Sequence, residues 1–294
     1  MRKLFSLVAA AVLAACGGSS TQSTVRLALA GLSPLGTGFA YEGWLIVGGQ
    51  PQSTGRFNAD LTGALVTVSG AAIAQGDFAA GASVAASTAT AFVITIEKTG
   101  VAGPSATHYL AGAVTNSQAT LSTAAPQALG SDFTAAAGKY ILAAPTDSAP
   151  AHNLSGLWFI DLSSGSPAAG LSLPALPAGW KYEGWAVING QPVSTGKFVS
   201  ASGPDLAAPY SGSGSAPSFP GEDFLHNAPA GLAFPTNLQG GMAVITIEPD
   251  PDDSPAPFAL KPLIGSIGAA AADHVTYPMA NKASTFPSGT ATIR

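Results

Sequence analysis

Cysteine and charge are both scarce in this chain. Cys16 is the single cysteine among 294 residues, so disulfide bonds within the chain and thiolate metal sites, which need at least a pair of cysteines, are excluded. Charged residues make up 9% of the sequence, and the net charge is −5. A sparsely charged, slightly acidic surface does not attract nucleic acid, and no nucleic-acid partner is predicted.

Sequence motifs of catalysis are absent as well. The chain has no Gly-x-Ser-x-Gly elbow, no His-Glu-x-x-His pair and no glycine-rich phosphate loop that ends in lysine. Its four histidines are scattered singly. We therefore predict a protein that is not an enzyme and that needs no cofactor and no metal.

The N-terminus carries a targeting signal. Arg2 and Lys3 precede an apolar stretch too short to span a bilayer, and small residues lead to Cys16. This order resembles a bacterial lipoprotein signal, in which the cysteine is acylated, with palmitate for example, and becomes the new N-terminus. We predict a signal peptide at residues 1–15, lipidation at Cys16 and a flexible tether over 16–24.

That signal also predicts the cellular location of the protein. No later apolar stretch approaches the length of a membrane-spanning helix, so the rest of the chain is expected to lie outside the cytoplasm, held to a membrane through its lipid. Gly17, rather than an acidic residue, follows the cysteine. In the resemblance to lipoproteins this implies the outer membrane, if the host has one.

One sequence block occurs twice. Residues 41–57 and 182–198 agree at eleven of seventeen positions, beginning with Tyr-Glu-Gly-Trp and continuing through Gly-Gln-Pro and Ser-Thr-Gly to Phe. A second shared block, Val-Ile-Thr-Ile-Glu, follows at 93–97 and 244–248. Matched blocks in the same order indicate a duplicated module.

The module has a strand pattern. Short apolar runs rich in β-branched and aromatic residues are interrupted every ten or so positions by Gly, Pro, Asn and Ser. Asn189-Gly190 predicts a type I′ hairpin turn, and Gly48-Gly49 occupies the same place in the first copy. The predicted fold is all-β, with two tandem β-sandwich (immunoglobulin-like) domains at 25–124 and 133–294, the second with longer loops.

The repeated motifs resemble a known family. The Tyr-x-x-Trp strand, the Gly-x-Pro-x-Ser-x-Gly return and the Val-Ile-Thr-Ile-Glu strand are similar to the extracytoplasmic C-terminal domain of the anti-sigma-K factor family. The resemblance implies a β-rich envelope module. In that family the domain continues through a membrane helix into a segment that sequesters a sigma factor. No such parts are recognised in this chain, so sigma-factor inhibition is not implied.

Two matched sets of side chains are candidates either for ligand binding or for the core. They comprise an aromatic, an acid and a second aromatic in each copy: Tyr41, Glu42, Trp44, Tyr182, Glu183 and Trp185. Strand alternation places Glu42 and Trp44 on one face and Tyr41 on the other. A core Trp beside a paired, buried Glu is favoured over a ligand-stacking platform.

Two further sites stay open as alternatives. An acidic run at 248–253 offers carboxylates for calcium, although two prolines stiffen it and the first copy lacks it. The loop residues Glu222, Asp223 and His226 would support a secreted hydrolase or a carbohydrate-binding protein if they met Asp250 or Asp252 in one cleft.

These observations predict a non-enzymatic, lipid-anchored envelope protein with two anti-sigma-factor-like modules, used for binding, sensing or scaffolding. Its expected partner is an unidentified envelope protein or a glycan. The rival is the hydrolase or carbohydrate-binding protein with its site in the loops of the second domain. A structural surface-layer or adhesion component is a third possibility.

Overall fold

The computed structural model describes residues 23–79, 85–251 and 254–294. The predicted signal peptide, Cys16 and most of the tether lie outside the described residues, as do Asp252 and Asp253. The first strand begins at Thr24, where the tether is predicted to end. Within the described ranges, no helix is long and apolar enough to cross a membrane.

The described chain is almost entirely β-structure, built from twenty strands. The first eight are β1 (Thr24–Ala30), β2 (Phe39–Val47), β3 (Gln50–Ala59), β4 (Leu65–Val66), β5 (Asp77–Ala79), β6 (Ala89–Lys98), β7 (His108–Thr115) and β8 (Gln118–Ser122). The other twelve are β9 (Ala137–Leu142), β10 (Gly156–Trp158), β11 (Ile160–Asp161), β12 (Ala168–Ala169), β13 (Leu171–Ser172), β14 (Trp180–Ile188), β15 (Gln191–Phe198), β16 (Gly221–Asp223), β17 (Met242–Pro249), β18 (Leu263–Ser266), β19 (Tyr277–Asn281) and β20 (Ser288–Ile293). Short 3-10 helices lie at Ala74–Gly76, Ala86–Thr88, Pro150–Ser155 and Ala283–Thr285.

The strands form two large antiparallel sheets. Sheet one has the order β4-β3-β2-β6-β7-β8-β20-β1-β5, and sheet two has the order β15-β14-β17-β18-β19-β9-β10-β16, with β13 also paired to β9. Strands β11 and β12 form a separate pair. The predicted all-β sandwich class is confirmed.

Eight strands of the two sheets match in order, and β4 of sheet one and β13 of sheet two stand outside this match. The repeated motifs make β2 the equivalent of β14, β3 of β15 and β6 of β17. From there, β7, β8, β20, β1 and β5 correspond in order to β18, β19, β9, β10 and β16. In this alignment β9, which ends the first repeat, lies in sheet two between β19 and β10. Strand β20, which ends the second repeat, lies in sheet one between β8 and β1. Each repeat therefore donates its last strand to the other.

This exchange brings the start of β1 beside Arg294. The Thr24 amide donates to the Arg294 carbonyl at 2.9 Å, and the Arg294 amide donates back to Thr24 at 2.8 Å. Strand β20 falls within the predicted range of the second module, 133–294, but it is hydrogen bonded in the sheet of the first repeat.

A continuous apolar core joins the two repeats. The Tyr41 and Tyr109 rings stack at 5.5 Å, and Tyr109 stacks on Trp180 of the second repeat at 6.2 Å. The Trp180 Nε1 donates to the His108 carbonyl at 3.2 Å. Trp180 therefore lies in the shared core rather than along a groove, and burial of such large rings is a main source of stability.

The predicted hairpin turns are confirmed. Asn189 and Gly190 both have positive φ, +52° and +82°, as a type I′ turn requires, and Gly48 and Gly49 have φ of +57° and +77°. Glycine and asparagine tolerate this backbone region, which explains how two different dipeptides form the same turn.

We expect a valine at position 289 to destabilise the exchanged strand. A Cβ on Gly289 would lie 2.2 Å from the Ala28 carbonyl oxygen, whereas a Cβ on Gly36 meets no atom within 4 Å. Gly289→Val should therefore lower the free energy of unfolding by about 2 kcal/mol or more, measured by urea denaturation. Gly36→Val, the control, should change it little. Equal effects from the two variants would contradict the position of β20.

Candidate functional site

The repeated tyrosine holds neighbouring segments of the chain together in both copies. The Tyr41 hydroxyl donates to the Ser33 carbonyl at 2.8 Å, and the Tyr182 hydroxyl donates to the Pro174 carbonyl at 2.7 Å. Both rings are buried, and each stacks at 5.5 Å on the phenylalanine that ends the repeated block. Burial raises the pKa of both phenols. Each tyrosine therefore contacts both the segment before its hairpin and the second strand of that hairpin.

The repeated glutamate is held by the strand beside it. Glu42 is buried, and it accepts hydrogen bonds from the Ser53 hydroxyl at 2.6 Å and from Arg56 Nε at 2.7 Å. The Ser53 oxygen also accepts the Gly55 amide at 3.1 Å. In the second copy, Ser194 donates to Glu183 at 2.5 Å and accepts the Gly196 amide at 3.0 Å.

A β-bulge explains the Ser-Thr-Gly sequence. Gly43 pairs with Gly55 and Trp44 pairs with Ser53, so Thr54 is the extra residue on β3. Gly55 has a φ of +109°, a conformation that disfavours any side chain. The second copy has the same bulge, with φ of +127° at Gly196.

The repeated tryptophan donates a buried hydrogen bond. Trp44 Nε1 donates to the Thr95 hydroxyl at 2.8 Å, and Trp185 Nε1 donates to Thr246 at the same distance. Both threonines are fully buried. A buried indole N–H without a partner would be costly, which explains why Thr interrupts the Val-Ile-Thr-Ile-Glu strand.

The glycine between Glu and Trp has a steric role. A Cβ on Gly43 would lie 2.8 Å from the Phe92 ring, and one on Gly184 would lie 2.6 Å from the Phe159 ring. An aromatic ring therefore packs directly on the backbone in both copies. Every member of the Tyr-Glu-Gly-Trp motif has a contact within the fold, so the six candidate side chains are internal rather than displayed.

We expect the Glu42 carboxylate to support folding. Glu42→Gln removes the charge that Arg56 faces and should lower the free energy of unfolding by roughly 1–3 kcal/mol, because one buried partner of an ion pair is changed. Asp77→Asn is the matched control, because Asp77 forms an exposed pair with Arg26 at 2.7 Å in the same sheet. Urea denaturation measures both variants. A loss no larger for Glu42→Gln than for the control would contradict the structural role.

A cluster of buried acids is the distinctive polar feature of the second repeat. Glu222 and Asp223 on β16 have no exposed surface. Glu222 accepts the Tyr210 amide at 3.2 Å and the Ser211 hydroxyl. Asp223 accepts Trp158 Nε1 at 2.6 Å and the Thr146 amide at 2.8 Å. These carboxylates hold the long loop before β16 to the body of the fold.

Asp205 completes this acid cluster. Its Oδ2 accepts the Gly221 amide at 2.7 Å, while its Oδ1 is buried and has no hydrogen-bond partner among the described residues. Burial, reinforced by the charges of Glu222 and Glu183, raises the pKa of Asp205 to about 8. Burial raises the pKa of Glu222 to about 7. Raised pKa values occur at catalytic acids but also in buried structural networks.

The hydrolase arrangement considered from the sequence needs Glu222, Asp223 and His226 in one cleft with Asp250 or Asp252. In the structure Glu222 and Asp223 are buried, whereas His226 is exposed and Asp250 pairs with Lys181 at 3.0 Å. Among the described residues, no group of three or more His, Cys, Asp or Glu side chains is arranged to hold a metal ion. The other aromatics of this repeat, Trp158 and Phe224, are buried and enlarge its core.

We expect the acid cluster to make stability depend on pH. In the unfolded chain these carboxyls have a pKa near 4, so between pH 4 and 8 the folded state binds more protons and stability falls as pH rises. Thermal unfolding should show a decreasing midpoint from pH 5 to 8. Asp205→Asn removes one titration and should raise the midpoint at pH 8 by about 5 °C, with a flatter profile.

Asp60 is the control for this pH dependence. Hydrogen bonds from Thr62 and Ala64 lower its pKa, so Asp60→Asn should leave the slope between pH 5 and 8 unchanged. A wild-type midpoint that rises over this interval would contradict the assignment, as would a slope that Asp205→Asn does not alter.

A surface groove lies where the connection from β8 to β9 meets the connection from β19 to β20. It has a volume of about 490 Å³, opens to solvent and is lined by the end of β8, the loop before β9 and the segment that joins β19 to β20. Its main side chains are Ser122, Thr123, Asp132, Thr134, Ser284 and Phe286. Hydroxyls surround one aromatic ring, and no basic side chain of the described residues lines the groove. We call it the crossing groove.

Asp132 supplies the charge of the crossing groove. Its Oδ1 accepts the Thr134 amide at 3.0 Å and the Thr134 hydroxyl at 2.8 Å, and these bonds lower its pKa. The carboxyl is therefore ionised at neutral pH. Ligand sites are found preferentially in concave surfaces between modules, which makes the crossing groove the candidate binding site.

Comparison with known proteins identifies no relative. No protein-family model, no curated protein and no solved structure matches the chain. The resemblance of the repeated motifs to an anti-sigma-factor domain therefore stays a prediction.

The crossing groove was not predicted from the sequence. The one signal is weak: Ser131-Asp132-Phe133 before β9 partly repeats as Ser284-Thr285-Phe286 before β20. The two phenylalanine rings pack at 5.7 Å, so the two connections meet in space. Asp205 was missed because only folding brings its loop against β16.

Proposed function

We propose that this protein is a non-enzymatic, lipid-anchored component of the cell envelope, whose paired β modules bind or scaffold another envelope component. The observation that carries the proposal is the internal use of the repeated polar and aromatic residues, together with the open crossing groove. The fold serves as a rigid scaffold, and the surface between the two repeats binds the partner.

The start of the first strand supports the anchoring part of the proposal. The first strand starts at Thr24, eight positions after Cys16, so the predicted tether leads directly into sheet one. A short Gly/Ser-rich tether keeps the folded part within reach of the membrane surface. The likeness to the extracytoplasmic anti-sigma module supports an envelope role of the same general kind.

The buried acids favour this proposal over a hydrolase. Catalytic carboxyls must reach a substrate, but Glu222 and Asp223 have no exposed surface and already accept several hydrogen bonds. The crossing groove is lined by other residues and presents no acid and histidine together.

We expect Cys16→Ser to abolish anchoring. The full chain, expressed in a bacterial host, should incorporate a palmitate analogue and fractionate with membranes, because multiple acyl chains bind a bilayer stably. Cys16→Ser should be unlabelled and leave the membrane fraction, and Ser19→Ala, a change in the tether, should behave as wild type. A labelled Cys16→Ser protein, or an unlabelled wild type, would refute lipidation at this residue.

A further inference from the structure

Asp205 connects the two end strands of sheet two, β15 and β16. It packs directly on β15, because a Cβ on Gly196 would lie 2.6 Å from the Asp205 Cβ. Its Oδ2 accepts the amide of Gly221, the first residue of β16, at 2.7 Å. The next residue, Leu206, donates its amide to the Lys197 carbonyl of β15 at 2.8 Å. One short segment therefore bridges the seam between these two strands.

Sheet one closes the equivalent seam with aromatic rings. Its strands β3 and β5 correspond to β15 and β16, and the rings of Phe57 on β3 and Phe78 on β5 pack at 5.1 Å. Strand β4 also pairs with the end of β3. Among the described residues, sheet two has no counterpart of β4, and the middle residue of β16 is Glu222 rather than an aromatic. Closure of the seam in sheet two therefore depends on the segment that carries Asp205.

The surroundings of Asp205 disfavour its ionised form. Its Oδ1 is buried and has no hydrogen-bond partner among the described residues, so a negative charge there lacks a donor. Burial, and then the charges of Glu222 and Glu183, raise its pKa to about 8. The charged residues on the strands around the seam, and beside them, are Lys181 and Glu183 on β14, Lys197 on β15, Glu222 and Asp223 on β16, and Asp147 and His152 next to Asp223. The closed seam therefore holds a proton on Asp205 at neutral pH.

From this geometry we propose that Asp205 is a pH-operated latch, which holds residues 199–209 over the seam while its carboxyl is protonated and releases them when the carboxyl ionises. We call residues 199–209 the latch segment. Once the segment is released, the carboxylate reaches water, so opening removes the cost of a buried charge without a donor. The inference concerns a movement of the fold and goes beyond the proposed binding function.

The latch segment is the part of the loop before β16 that opens at low cost. Val199 and Leu206 are 70% and 60% exposed, so opening removes little apolar surface from the core. The loop is held independently from Tyr210 onward, because the Tyr210 ring packs against Phe224 at 5.9 Å and its amide donates to Glu222 at 3.2 Å. Opening is therefore local, and it uncovers the outer edge of β15.

The direction of the pH dependence follows from the proton on Asp205. The closed seam binds this proton up to a pH of about 8, whereas an exposed aspartate has a pKa of about 4. The segment is therefore closed in mild acid, and each pH unit between about 4 and 8 favours opening by about tenfold. Above this interval both states are ionised, and opening no longer depends on pH.

The experiment is hydrogen–deuterium exchange of the full chain in detergent from pH 5 to 8, with labelling times adjusted for the intrinsic exchange rate. Protection of the latch-segment amides and of Gly221 should fall by roughly tenfold per pH unit, while the amides of β17 stay protected. Asp205→Asn keeps an acceptor for the Gly221 amide but cannot ionise, so its latch segment should stay closed at every pH. Asp205→Ala removes the acceptor, so its latch segment should be open already at pH 5.

Asp60→Asn is the matched control. Asp60 follows β3 as the latch segment follows β15, and its Oδ1 accepts the amides of Thr62 at 2.8 Å and Ala64 at 3.1 Å. These bonds lower its pKa, so the variant should leave the pH dependence of the latch segment as in wild type. Protection of β17 in each variant tests folding separately.

Three results would overturn the inference: protection of the latch segment that does not change between pH 5 and 8, a slope in Asp205→Asn equal to that of wild type, or a loss of protection shared equally by β17, which marks global unfolding. Acylation of Cys16 is measured separately, so failure of the latch leaves the anchored-scaffold proposal intact.

Discussion

Strand β20 lies between β8 and β1, and the remaining architecture depends on this insertion. In the described sheet, β20 connects the pair β1 and β5 to the six-strand run that ends at β8. Without it, the backbone groups of β1 and β8 would lose their partners at an open edge. Strand β9 has the same place in sheet two. Neither repeat completes its sheet with its own strands, so the repeats depend on each other for folding.

The shared motif is retained because it solves the same packing problem twice. A bulge, a buried Glu, a Trp N–H bonded to Thr and an aromatic ring on glycine form one unit in each sheet. The details differ between copies. Thr54 donates to the Gly43 carbonyl at 3.0 Å, whereas the Thr195 hydroxyl is buried without a partner among the described residues. The glycine cleft is filled by Phe92 of β6 in one copy and by Phe159, which follows β10, in the other.

Local chemistry explains what could be predicted from the sequence. The hairpin turn at Asn189-Gly190 and the β class follow from backbone preference and strand pattern, which act over a few residues. The exchange of β9 and β20 depends on pairing between segments more than a hundred residues apart, as Ser122 with Ser288 shows. Such pairing leaves no local pattern, so the crossing groove that it creates was not predictable.

The two repeats differ in the acid cluster and at the crossing groove, and these differences distinguish surface features from the shared framework. The acid cluster of Asp205, Glu222 and Asp223 has no counterpart among the described residues of the first copy, and it holds a loop in place. At the crossing, Phe133 is fully buried whereas its counterpart Phe286 remains half-exposed beside hydroxyls. Asn281 donates to the Phe133 and Ala136 carbonyls, both at 2.8 Å, and so ties the β19–β20 connection to the loop before β9. Duplication provides a rigid frame, and inequality between the two connections leaves one aromatic ring and its surrounding hydroxyls accessible.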